Sequence, residues 1–185
     1  VFEDDNARVK LTFTTPLLLD RFDIMTRPAS YIKYDITPKC GKDVDIKFIF
    51  GINSRICVDD TDQDVVIEKT NYSLRCGNAK QNPLSKSGDS TTIDWGWLHL
   101  CDTDAQVYTC SDCDHFGTNY IRKEDEGKTV YNVRKDMPYL AVVKDELSGV
   151  ITVAYDQIHP IEYFGDKLDE YYTKHFSSFG DMVNA

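Results

Sequence analysis

Residues 139–155, YLAVVKDELSGVITVAY, decide the fold class of this sequence. Two apolar runs, 139–143 and 150–155, flank a polar turn that ends at Gly149. β-Branched and aromatic residues favour strands, and glycine supplies the positive φ that a tight turn needs. The stretch therefore predicts two antiparallel strands joined as a hairpin.

The same two-residue period recurs along most of the chain. Val9, Leu11 and Phe13 alternate with polar residues, and residues 44–50 do the same. Further short strands are predicted at 56–58, 65–67, 72–74, 95–100, 106–109 and 129–133. We expect 106–109 to pair with 95–100 across a polar turn. Short strands separated by Gly, Asp and Asn predict a mainly β protein, an antiparallel β-sandwich.

The C-terminal stretch changes period. Apolar and aromatic residues recur there at spacings of three and four: Leu168, Tyr171, Tyr172, His175, Phe176 and Phe179. This spacing predicts an amphipathic helix between Gly165 and Gly180, with Asp166 as its N-cap. It would form the centre of a C-terminal linker or interface helix at 160–180. Its aromatic face must be buried, either on the domain's own sheet or against a neighbour.

Length and charge restrict the class of protein. The 185 residues suit one domain, 1–185, with 41% apolar and 28% charged residues. A net charge of −10 without a basic stripe argues against a nucleic-acid partner. No apolar run approaches the ~20 residues that span a bilayer. Because the chain starts at Val1 without an initiator Met, we expect it to be a fragment of a longer multidomain protein.

Two groups of side chains are weak candidates for metal binding. The six cysteines include a short cluster followed by a histidine, and a zinc site there would use Cys101, Cys110, Cys113 and His115. Free thiols or a disulfide are favoured over zinc, because this spacing is unlike the common zinc motifs, and no metal site is expected. A second group, Asp60, Asp62 and Asp64, has calcium-loop spacing. Val65 and Asn71 replace the required Gly and Glu, so a solvated acidic turn is favoured. No cofactor is expected.

Evidence for catalysis is sparse. No nucleophile elbow or phosphate-binding loop is present, and the four histidines are scattered. Asp94 is a weak catalytic candidate, because an acid beside an aromatic residue is common where sugars bind. Trp95 and Trp97 could form a stacking platform or belong to the core. Arg27 could bind a ligand carboxylate or pair with one of the many acids.

Several segments in a fixed order carry a resemblance to a known family. They are Phe13-Thr14-Thr15-Pro16, residues 27–31, the strand 44–50, Asp94-Trp95-Gly96, Asp136-Met137-Pro138, and residues 141–145 followed by Gly149. Together they resemble the β-rich domain in the N-terminal part of glutaminase A-like secreted proteins of fungi and gut bacteria such as Bacteroides. The resemblance implies a supersandwich-like fold of the kind that precedes α/α toroid domains in several glycoside hydrolases.

The resemblance also implies a function. We expect a non-catalytic β-sandwich domain of a secreted or periplasmic glutaminase-like hydrolase, packed against a C-terminal helical domain that this sequence lacks. The parent would hydrolyse the side-chain amide of glutamine, and no catalytic residue of the family transfers to a position here. The alternative is a carbohydrate-binding module or a part of a glycoside hydrolase. Its ligand would be a glycan or another small molecule.

Overall fold

Alternating apolar residues form antiparallel strands in most of the predicted places. The computed structural model describes residues 1–39, 46–86, 88, 92–110, 121–123 and 127–185. In chain order the strands are β1 (Phe2–Glu3), β2 (Ala7–Thr14), β3 (Ala29–Pro38), β4 (Phe48–Asn53), β5 (Asp64–Lys69), β6 (Leu74–Asn78), β7 (Trp97–Leu100), β8 (Gln106–Cys110), β9 (Ile121–Lys123), β10 (Val130–Asn132), β11 (Pro138–Lys144), β12 (Ser148–Asp156), β13 (Ile161–Tyr163) and β14 (Asp166–Leu168).

These strands form two main sheets and one separate hairpin. The larger sheet has eight strands in the order β1-β2-β3-β12-β7-β6-β5-β10, and the smaller has the order β4-β11-β8-β9. Among the described strands, β13 and β14 pair only with each other. Short helices are α1 (Phe22–Met25), α2 (Val133–Asp136), α3 (Phe179–Asn184) and two 3-10 turns, Ser54–Cys57 and Tyr171–Lys174. The protein is therefore mainly β with antiparallel sheets, as the sequence predicted.

One apolar core, here called the inner core, contains residues of both sheets. Its fully buried side chains include Leu98 and Leu100 of β7 and Leu140 and Val142 of β11. Across the sheets, the rings of Tyr34 and Phe48 stack with centroids 4.0 Å apart. Burial of this apolar surface is the main force that holds the two sheets together.

The predicted hairpin at 139–155 is wrong, although both of its strands exist. β11 pairs with β4 and β8 in the small sheet, whereas β12 pairs with β3 and β7 in the large one. The turn between them thus connects two sheets. Gly149 lies in β12, and a Cβ there would come within 2.7 Å of the Tyr34 hydroxyl. Its small size is therefore needed for close packing and not for the turn.

Two other local predictions also fail. β7 and β8 do not pair, because β8 belongs to the small sheet. The strand predicted at 56–58 is replaced by the 3-10 turn Ser54–Cys57, in which Asn53 Oδ1 accepts the N–H of Arg55 at 2.8 Å. Residues 44 and 45 of another predicted strand lie outside the described residues, and β4 begins at Phe48.

The predicted helix between Gly165 and Gly180 does not form. Phe164 and Gly165 both have positive φ (49° and 90°) and close the β13–β14 hairpin. Asp166, the predicted N-cap, lies in β14. The C-terminal helix is the short α3, and Ser178 Oγ accepts the N–H of Asp181 at its start. Gly180 lies inside α3, where a Cβ would meet the Tyr72 ring at 2.7 Å.

The C-terminal aromatic residues nevertheless pack on the large sheet. Residues of β3, β12 and the C-terminal segment form a second buried group, here called the outer cluster: Ala29, Ala154, Tyr172, Phe179 and Met182. It covers the face of the large sheet opposite the inner core. No helix among the described residues is long and apolar enough to cross a membrane.

Candidate functional site

Two acids and a tyrosine meet at the edge of the outer cluster. Asp156 ends β12, where its Cα partner in β7 is Trp97. The C-terminal segment brings Glu170 and Tyr172 to the same place, where burial and the nearby Asp156 and Glu170 charges raise the pKa of the Tyr172 hydroxyl. Glu170 Oε1 accepts the backbone N–H of Gln157 at 2.7 Å. We call Asp156, Glu170 and Tyr172 the acid cluster.

Burial raises the pKa of both acids. It raises the pKa of Glu170 to about 7, and the neighbouring Asp156 charge adds to the shift, while the bond from Gln157 N–H opposes it. Burial also raises the pKa of Asp156, against the bonds from Ile158 N–H and Tyr172 and the charge of Arg75. A low-dielectric site disfavours a charged carboxylate, so Glu170 can hold a proton near neutral pH.

The acid cluster has a cation beside it. The Arg75 guanidinium lies 4.1 Å from the centroid of the Trp97 ring and contacts Glu68 Oε2 at 2.6 Å. A carboxyl with a pKa near 7 could accept or donate a proton at neutral pH. Glu170 is only 9% exposed, however, and its backbone carbonyl also accepts the Thr173 hydroxyl. The bond from Gln157 N–H to Glu170 attaches the C-terminal segment to the residue that follows β12.

Sequence reasoning missed the acid cluster. Glu170 was assigned to a helix, and Asp156 was one acid among 31 Asp and Glu residues. The two belong to different elements and meet only because the segment after β12 turns back over the sheet. No spacing motif in the sequence could have indicated this contact.

Asp94 is buried, as a catalytic acid could be, but it is held by an ion pair. Lys86 Nζ lies 2.8 Å from Asp94 Oδ2 and 2.9 Å from Asp59 Oδ2. Gln63 Nε2 donates to the same Asp94 oxygen at 3.2 Å. The two carboxylates raise the pKa of Lys86. This arrangement anchors the loop that contains Lys86 against the sheets.

Both tryptophans have packing roles. Trp95 is buried, and its indole N–H donates to the His159 carbonyl at 3.3 Å. One face of the half-buried Trp97 is occupied by Arg75.

Arg27, the third ligand-binding candidate, lies 5.0 Å from the centroid of the Phe176 ring and donates from Nε to the Asp23 carbonyl at 3.0 Å. Arg27 therefore ties the loop before β3 to the C-terminal segment.

The three aspartates with calcium-loop spacing are engaged by protein groups. Asp60 Oδ1 accepts the N–H of Asp62, and Asp62 pairs with Arg134 at 3.0 Å. Asp64 Oδ1 accepts a hydrogen bond from Asn132 Nδ2. Within the described ranges, no group of three or more His, Cys, Asp and Glu side chains is arranged to hold a metal ion.

The zinc candidate remains untested, because only one of its four residues, Cys101, has a described side chain. Cys101 packs against the outer cluster, where burial raises its pKa to about 12. Cys110 is described only as the last residue of β8, and Cys113 and His115 lie outside the described residues.

A serine and a histidine are also in contact, and sequence reasoning did not pair them. His99 Nδ1 shares a hydrogen bond of 2.9 Å with Ser73 Oγ, which in turn contacts Thr70 Oγ1 at 3.0 Å. Burial lowers the pKa of His99 to about 3, so the ring is neutral. It stacks on Phe179 with centroids 4.2 Å apart. Because Ser73 is fully buried, it cannot reach a substrate as a nucleophile.

The described side chains thus define an antiparallel β protein in which two buried polar residues, His99 and Glu170, help to hold the C-terminal segment. A family model described as a domain of unknown function, DUF5127, matches residues 1–185, and the chain belongs to this family. A search of curated proteins and of solved structures found no match to the chain.

Proposed function

We propose that this chain is a non-catalytic β-sandwich domain of a secreted or periplasmic glutaminase-like hydrolase, and that it packs against a helical domain of the same protein. The proposal starts from the sequence resemblance. Its main structural support is the apolar surface of the β13–β14 hairpin. The alternative function is that of a carbohydrate-binding module or of a part of a glycoside hydrolase.

The hairpin presents its apolar side to solvent. Ile161 and Tyr163 alternate along β13, and Leu168 of β14 lies opposite Ile161. With Phe164 at the tip they form what we call the hairpin face, and Phe164 is 92% exposed. Lys167, which alternates with these residues, donates to the Pro83 carbonyl at 3.2 Å. Lys167 on the polar side thus contacts the domain, whereas the hairpin face is exposed to water. An exposed apolar surface of this kind is typical of a site that a partner covers.

The described polar groups support a non-catalytic role. Asp94 is paired with Lys86, Ser73 is fully buried, and the acid cluster attaches the C-terminal segment. Trp97 has Arg75 over one face, which leaves less of its ring for a sugar to stack on. A partner domain that carries the chemistry is consistent with these roles.

The partner contact can be tested by thermal unfolding of the full-length protein and of this chain. Tyr163→Ser combined with Phe164→Ser should lower the Tm of the full-length protein by about 2–5 °C, because apolar contacts with the partner are lost. The same pair should leave the Tm of this chain unchanged. Phe13→Ser with Val150→Ser, two other exposed residues, is the matched control. Equal effects of both pairs in the full-length protein would refute packing through the hairpin face.

The activity needs a separate assay. Ammonia release from glutamine is measured for the full-length protein and for this chain. We expect release by the full-length protein only. Release by this chain alone would refute the non-catalytic role, and no release by either would remove glutamine as the substrate.

Calorimetric titration of this chain with a panel of glycans should give no heat, whereas saturable binding would support the carbohydrate-binding alternative.

A further inference from the structure

Two cysteines from distant parts of the sequence meet in the inner core. Cys57 ends the 3-10 turn after β4 of the small sheet, and Cys76 lies in β6 of the large sheet. Both are fully buried free thiols. Cys57 Sγ donates to the Cys76 carbonyl at 3.4 Å, which places this thiol against the backbone of the second cysteine. We propose that Cys57 and Cys76 form a disulfide when the chain folds in an oxidising environment.

The position suits a cross-link between the sheets. The 3-10 turn packs on β6, so a bond here would connect the end of the small sheet to the centre of the large one. Cys76 lies opposite Ile67 of β5 and Leu98 of β7, which are themselves buried core residues. Strand pairing on both sides therefore fixes the backbone of Cys76 beside Cys57. The proposal does not depend on the hydrolase assignment.

The chemistry requires an external disulfide such as oxidised glutathione. One cysteine thiolate attacks a sulfur of this oxidant, which releases one glutathione thiolate and leaves a mixed disulfide. The second cysteine thiolate attacks the protein sulfur of that mixed disulfide and releases the other glutathione. Two electrons pass to the oxidant, and the two thiol protons are transferred to the released glutathione thiolates.

The timing of the bond follows from burial. Burial and the adjacent Cys57 thiol raise the pKa of Cys76 well above its ordinary value. The thiolate is the attacking species, so the folded, reduced protein should react slowly with the oxidant. The exchange should therefore occur during folding, before the inner core closes.

Peptide mapping tests the bond directly. The chain is refolded from denaturant in reduced and oxidised glutathione, unfolded again, alkylated without reductant and digested with trypsin. Cleavage after Arg55, Lys69, Arg75 and Lys80 places each cysteine alone in its own peptide, 56–69 and 76–80. We expect these two peptides to be recovered joined. Recovery of both in alkylated form, or joined to other cysteine peptides, would overturn the proposal.

Stability provides a second readout. Adding a phosphine reductant to the oxidised protein should lower its Tm by roughly 6–12 °C, as loss of a cross-link that closes a loop of this length predicts. Cys101→Ala, which changes a cysteine beside the outer cluster, should keep this drop, and Cys57→Ala should lack it. Equal drops in both variants would also refute the assignment.

Discussion

The two faces of the large sheet are buried in different ways. The inner face packs against the small sheet through aliphatic side chains such as Leu98 and Leu140. The outer face is covered by the C-terminal segment, and the contacts there include the neutral His99, the acid cluster and the Phe179 ring. The inner face depends mainly on apolar burial, whereas the outer face also depends on protonation. We therefore expect the two faces to respond differently to truncation and to pH.

Truncation in the inner core should have the largest effect. Leu140→Ala removes a fully buried side chain from β11 and leaves a cavity, so the free energy of unfolding should fall by about 3 kcal/mol. Urea denaturation followed by circular dichroism measures it. Leu147→Ala, at an exposed position, is the control and should change stability by less than about 0.5 kcal/mol. Similar losses in both variants would contradict the inner core as described.

Truncation on the outer face should act more locally. Phe179→Ala removes the ring that stacks on His99, and we expect a loss of about 2 kcal/mol, less than for a central core aromatic. The C-terminal segment should detach before the sheets unfold, so limited trypsin digestion should cut first after Lys174. The control is Tyr163→Ala, an exposed aromatic residue in the β13–β14 hairpin. Unchanged cleavage at Lys174 in Phe179→Ala would show that the outer cluster does not retain the segment.

The effect of pH on stability should come from the outer face, and it should be the smallest of the three effects. The pKa of Glu170 is raised by folding to about 7 from an ordinary value near 4.5. Its contribution to stability is therefore complete below pH 4.5 and is lost as the pH rises through 7. After allowance for solvent screening, the loss should be about 1 kcal/mol between pH 5 and pH 8.

The variant Glu170→Gln isolates this effect. Its amide oxygen can still accept the Gln157 N–H but does not titrate, so the variant should show a flatter stability profile over this pH range. Glu162→Gln, in the exposed β13–β14 hairpin, should follow the wild-type profile. A profile for Glu170→Gln parallel to the wild type would exclude Glu170 as the titrating group.

Local sequence patterns located most of the strands and did not locate the sites. Alternation at Val9, Leu11 and Phe13 and the apolar run at 150–155 correctly indicated β2 and β12. The candidate site residues Asp94, Trp95 and Arg27 were chosen for their chemistry. Each is engaged by a partner that its own local pattern does not reveal: Lys86 pairs with Asp94, the His159 carbonyl accepts the Trp95 N–H, and the Arg27 guanidinium lies over the Phe176 ring.

The C-terminal segment shows why periodicity can mislead. Aromatic residues at spacings of three and four predicted one helix, but the same residues are distributed over a hairpin, a 3-10 turn and the short α3. Tyr172 and Phe179 reach the outer cluster from different elements, while Tyr171 remains 45% exposed. A helix would have put them on one stripe. The shorter elements bring these residues to the outer cluster on the large sheet. Local spacing in the sequence does not reveal the sheet surface on which they pack.

The sequence by itself determined the fold class, the acidic surface and the position of most strands, because alternation and charge are properties of neighbouring residues. Only the tertiary structure decided which strands pair, which sheet each belongs to, and which buried groups meet. β11 and β12 follow one another closely yet enter different sheets. Cys57 and Cys76, and likewise Asp156 and Glu170, come into contact through that arrangement. Strand pairing depends on how much apolar surface the whole chain buries, and a local sequence pattern does not report that total.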